Sequence, residues 1–192
     1  LSFRDELMRR RGNAVDRERW CTEMHAWLDA TGHEQEAHDT LETISTRVDE
    51  VEQLLTDTGL LAAGERLRTV AGYQVGHAIT VIRWGAHSGY ADYPAITQSL
   101  LAARDLAGRH FASWREYAAS HVAGAALAGP AEDTAARFEQ LLPAVATLLL
   151  SPESPWRNLE FPIVTDFDAL LGVGAHDPDC PDKPFFPDDP ED

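Results

Sequence analysis

Lysine is almost missing from this 192-residue chain: Lys183 stands alone against 15 arginines. The bases total 16 against 32 acids, giving a formal charge of −16 and a pI near 4.7. A surface that tracks phosphates needs clustered Lys and Arg. The one basic run, Arg9-Arg10-Arg11, is followed closely by Asp16 and Glu18. Nucleic acid and anionic membranes are therefore excluded as partners, and a basic protein surface fits the charge best. Cysteine is equally scarce. Cys21 and Cys180 are far apart and form no disulfide framework, which points to a reducing, cytoplasmic compartment. No apolar run approaches the ~20 residues that span a bilayer. Residues 1–12 are amphipathic and charged, unlike a signal peptide. Also missing are a Gly-rich phosphate loop, a nucleophile elbow, a zinc knuckle, a dinucleotide fingerprint, a Glu-x-x-His pair and a solenoid repeat.

What is present is helical periodicity. Hydrophobic residues make up 44% of the chain and charged residues 25%, ordinary for a globular domain. The patterning predicts an all-α, single-domain bundle of about seven helices over residues 1–172. They cover about 2–11, 14–31, 34–57, 61–87, 93–109, 112–127 and 131–150. The third is the clearest, with Ala37, Leu41, Ile44, Val48, Val51 and Leu55 forming one apolar stripe. Gly12, Gly32, Gly59, Gly89 and Gly129-Pro130 punctuate the series. The best strand candidate, from Phe161, is short and proline-interrupted. Residues 151–172 read as an irregular segment docked by Trp156, Leu159, Phe161 and later apolar groups. Residues 175–192 carry seven acids, one lysine and a proline at every third position from Pro178 to Pro190. That composition predicts an extended acidic tail, with Phe185-Phe186 as its one apolar tether.

One spaced set of residues is more specific. It runs Gly76, Arg83-Trp84-Gly85, Gly89-Tyr90, Phe111-x-Ser113-Trp114, Gly124 and Ser154-Pro155-Trp156. This resembles the bacterial family catalogued as domain of unknown function 1266 (DUF1266), over about residues 70–160, with weaker support from 18 to 35. The family's Trp-Asp-x-Gly-Arg helix is replaced here by Tyr73-Gln74-Val75-Gly76-His77, so both the acid and the base of that helix are lost. The resemblance implies no activity.

Two functional readings follow. The first is a non-enzymatic protein that binds another protein, with no cofactor and no metal. The second is an enzyme with an unfamiliar acid–base or anion-binding site around His77, Arg83, His87, Glu116 and His121. His77, Trp84 and His87 share a helical face, and His titrates near neutrality. The simpler account of the same residues is a polar layer that positions helices, since no nucleophile with a base and an orienting acid is legible. Glu34, His38 and Glu42 lie one turn apart, a spacing that suits a divalent cation but equally a solvated face. Trp84, Trp114 and Trp156 are expected as buried anchors of one core. Gly72 and Gly76, one turn apart, predict close approach of another backbone.

Overall fold

A stripe of Leu41, Ser45, Val48, Val51 and Leu55, all buried, fixes one face of the longest helix toward its neighbours. The computed structural model describes residues 17–162. Their helices are α1 (Arg17–Ala30), α2 (Gln35–Asp57), α3 (Ala71–His87), α4 (Tyr93–His110), α5 (Trp114–Leu127), α6 (Thr134–Leu150) and a single turn, α7 (Pro155–Asn158). A 3₁₀ turn at Ala131–Asp133 leads into α6. No strand occurs among the described residues, and the fold is all-α. Two predictions, the helix over 2–11 and the acidic tail over 175–192, lie outside the described residues. So does the second part of the docked segment, from residue 163 on.

The bundle is organised around α5. Eight of its residues are buried, among them Ala118, Ala119, Val122, Ala123 and Ala126. Sequence patterning expects one presented face on this helix. Instead α5 is enclosed by α2, α3 and α6 at once, and its small side chains let those helices come close. Two helices are peripheral: α1 packs mainly on α2, and α4 mainly on α3. Phe138 and Val145 of α6 complete the core against Val51 and Leu55 of α2. Arg47 of α2 ties in the α5–α6 connection by donating to the Gly129 carbonyl (2.9 Å) and to Thr134 Oγ1 (3.1 Å). A partly buried carbonyl just beyond a helix end is thereby satisfied.

The helix predicted over 61–87 is corrected. It begins only at Ala71, and residues 61–70 run without helix. The cause lies partly in Gly64, which holds φ at +83°, a region that a non-glycine residue occupies at a cost. It lies also in Glu52 of α2, which is only 3% exposed. Its carboxylate accepts the Leu67 N–H (2.7 Å) and the Arg66 guanidinium (2.9 Å), offering this backbone a partner no helix would supply. Leu60 and Leu67 then drop into the core. The N-terminus of α3 is closed by α5: Ser120 Oγ accepts from Gly72 N (2.9 Å) and donates to the Thr69 carbonyl (2.7 Å).

Candidate functional site

The five residues singled out as a possible acid–base site fall in three places. His121 of α5 lies against α3, its Nδ1 3.2 Å from the Gly72 carbonyl. A row of rings links it to the outer surface: His121 to Tyr73 at 5.9 Å between centroids, and Tyr73 to His77 at 6.2 Å. Tyr117 stacks on His121 from the other side, and burial pushes its phenol above the usual range. Arg83 and His87 lie further along α3 and, with Thr80, Trp84 and Ala86, line a shallow depression of about 610 Å³. Glu116 is elsewhere. It lines a cavity of about 360 Å³ under the 60–69 segment, beside Arg115 and Phe111. Its Oε2 accepts Ala112 N (2.8 Å) while Ser113 Oγ accepts Glu116 N (3.2 Å), a reciprocal cap that starts α5.

The three tryptophans do not share one core, and the expectation for Trp84 is corrected: it is 64% exposed. Its position in the helix explains this. Ala71, Gly72 and Val75 form the buried face of α3, and the stripe of His77, Thr80, Val81, Trp84 and His87 points away from it, exposed throughout. Trp114 and Trp156 are half-buried and stack at 5.0 Å with their planes 11° apart. The Trp114 indole N–H donates to the Leu159 carbonyl (2.9 Å), and Phe161 meets Trp114 edge-on at 4.8 Å. Ser154 begins the return, with its hydroxyl bonded to the Leu148 carbonyl and accepting from Trp156 N. In dilute solution, where the chain is a monomer, Trp84→Ala is therefore expected to move unfolding stability by no more than ~0.5 kcal/mol. Trp156→Ala is expected to cost ~2 kcal/mol, short of the cost at a fully buried site. Urea melts of the two variants check the contrast.

The hairpin of α1 and α2 carries most of the described acids. Residues 17–57 hold eleven acids against three arginines, a net −8. Nine of those acids are exposed, Glu23 is half-buried and Glu52 is buried. Trp27 and Ile44 stand about half-exposed among them. The two helices join through a small apolar cluster of Trp20, Cys21, Leu28 and Leu41 and through a polar chain. Arg17 Nη2 donates to Glu42 (2.7 Å), Glu42 meets His25 Nε2 (2.9 Å), and His25 Nδ1 meets His38 Nδ1 (2.7 Å). His38 Nε2 lies 3.5 Å from Asp29. The two imidazoles are nearly coplanar, 6° apart, as an in-plane hydrogen bond requires. The His25 hydrogen bond, and then Arg17, hold the Glu42 carboxyl below the usual carboxylate range. His38 and Glu42, two of the three residues at cation-ligand spacing, are thus engaged with α1, which the sequence pattern did not reveal. Among the described residues no three His, Cys, Asp or Glu side chains are placed to hold a metal ion. No helix among them is long and apolar enough to cross a membrane.

Fold and surface together define an all-α bundle built on a small-residue central helix, with an acidic hairpin on one side and an aromatic, acid-poor hairpin on another. The family model described as protein of unknown function (DUF1266) matches residues 4–161, and the chain belongs to that family. The match reaches well upstream of the 70–160 stretch that carries the motifs. No curated protein and no solved structure matches the chain.

Proposed function

We propose that the chain is a non-enzymatic protein-binding module and that its α1–α2 hairpin receives a basic partner. The observation that carries this reading is the concentration of exposed carboxylates on that hairpin around two partly exposed apolar anchors, Trp27 and Ile44. Interfaces gain affinity from a few aromatic and aliphatic anchors, while surrounding charges steer encounter and select partners. The scarcity of cysteine fits work in a reducing cytoplasm. Acid–base catalysis draws little support, since His121 is engaged with the Gly72 carbonyl and Glu116 caps α5.

The test is affinity capture with the full chain and with the E34Q/E36Q/D39Q variant, each at low and at high salt. The reading expects a basic protein held at low salt, released at high salt, and held at least tenfold more weakly by the variant. Equal retention by both forms overturns it, as does turnover of any substrate that is lost in His121→Ala.

A further inference from the structure

The acids of this chain are unevenly spread, and one long stretch has none. From Arg66 to Ala91 there are twenty-six residues without Asp or Glu, in a protein where one residue in six is acidic. This stretch includes all of α3 and the turn that follows it. Its outward stripe carries Val81 and Trp84 between His77, Thr80 and His87, with Arg83 alongside. The turn ends in Tyr90, 91% exposed, and α4 opens on Tyr93, 81% exposed. The first acid after the stretch, Asp92, has its carboxylate engaged in capping α4 through Ala95 N (2.9 Å).

The depression on this face is walled by α3 alone. Thr80, Arg83, Trp84, Ala86 and His87 line it, and no other described element contributes. A slot with walls from one helix is half a binding site. The missing wall belongs to whatever covers the helix.

We propose that this face is the contact between two copies of the chain, with α3 crossing α3 about a two-fold axis. Charge selects this occupant. Two copies at −16 each repel over most of their surfaces. At physiological ionic strength, however, the Debye length is only about 8 Å, so the charges at the contact itself dominate. On the outward stripe of α3 there is no carboxylate to repel a second copy. A strongly basic protein is drawn instead to the α1–α2 hairpin, at net −8. The face is also self-complementary, as a two-fold interface requires. Trp84 and the slot beside it lie on the same helix, so each copy offers a ring to the other's slot, and Arg83 is placed for a cation–π contact with the facing Trp84. At about 200 Å² per ring, Trp84, Tyr90 and Tyr93 expose roughly 500 Å². That is a large part of the ~800 Å² per partner that a stable interface buries. This contact is independent of the acidic hairpin, so its failure leaves the reading of that hairpin standing.

Sedimentation of the full chain over a wide concentration range tests the proposal. The expected mass rises from 21.2 kDa toward twice that value as concentration increases. Trp84→Ala shifts the midpoint at least tenfold to higher concentration. Thr80→Glu, which puts a carboxylate on the stripe, does the same and is partly reversed by high salt. Glu36→Gln, on the acidic hairpin, leaves the midpoint unchanged within twofold. The replaced side chains are exposed, so the variants keep their helical circular dichroism. A mass of 21.2 kDa at every concentration overturns the proposal, whether the face is covered by another part of the same chain or by a different protein. A dimer that survives both Trp84→Ala and Thr80→Glu overturns it equally.

Discussion

Glu52→Ala is expected to lower unfolding stability by about 2–4 kcal/mol. The wild-type carboxylate lies inside the bundle, and its partners include the Leu67 backbone N–H and the Arg66 guanidinium. Removing one member of a buried pair costs far more than the pair is worth, because the other group is left without compensation. Arg66 is partly exposed and lies 3.5 Å from Asp49, so some of its charge is recovered and the upper limit for buried pairs is not reached. The Leu67 N–H has no such recourse, since Leu67 is itself buried. Glu52→Gln keeps an acceptor for that N–H but loses the charge, so it belongs between wild type and alanine. Urea unfolding of the three proteins gives the order. An alanine variant within 0.5 kcal/mol of wild type would mean that the 60–69 segment is held by Leu60 and Leu67 alone.

The same carboxylate shows where sequence reading ends. α2 was legible because its apolar residues repeat at spacings of three and four, although Ile44 of that stripe is exposed and Ser45 is buried beside it. α4 and α5 were legible from helical periodicity between the breaks at Gly89 and Gly129-Pro130, while the caps that start them, Asp92 and Ser113, are seen only in the structure. Residues 61–70 were misread as helix because their local propensities do not oppose it. What straightens them is a side chain fifteen positions earlier, and no local pattern encodes that contact. Gly64 was the available signal, a glycine where the apolar run from Leu60 to Ala63 gives way to Glu65-Arg66.

The candidate site was legible to a smaller degree, for a related reason. Period predicts that His77, Trp84 and His87 share a face, and they do, but it does not say which face is inside. Trp84 was assigned inward on hydrophobicity, whereas the small residues of α3, Ala71, Gly72 and Val75, take the inward side. At Gly72 the α5 backbone is too close for anything larger, and Ala71 and Val75 pack with Ala103, Ala107 and Tyr117. The histidine chain from Asp29 to Arg17 joins two helices and appears in neither helix's own pattern. The uneven distribution of acids, by contrast, was open to counting, once α3 was known to expose its acid-free stripe.

The close crossing of α3 and α5 leads to a second large effect. It places a glycine on each helix at the contact. A methyl group added at Gly72 would stand 2.8 Å from the Tyr117 carbonyl oxygen and 2.9 Å from His121 N, both backbone atoms of α5. One added at Gly124 would meet the Tyr73 Cβ at less than any real carbon contact, with the Val70 carbonyl 3.2 Å away. Neither neighbour can swing aside without moving its helix, and overpacking of this kind costs about 1–3 kcal/mol. That outweighs the roughly 1 kcal/mol that alanine gains over glycine as a helix former. Gly72→Ala and Gly124→Ala are thus each expected to lose up to about 2 kcal/mol net. Gly76→Ala meets the His121 ring at 2.7 Å, and a ring can rotate where a backbone cannot, so its loss is smaller. Gly85, in the same helix, has only the Ala91 Cβ at 3.8 Å, so Gly85→Ala is expected to stabilise by up to ~1 kcal/mol. Chemical denaturation of the four variants therefore tests a change of sign along α3, with Gly124→Ala probing the same contact from α5. If Gly72→Ala proves as stabilising as Gly85→Ala, α3 and α5 are not in backbone contact, and the inward assignment of the small-residue face has to be abandoned.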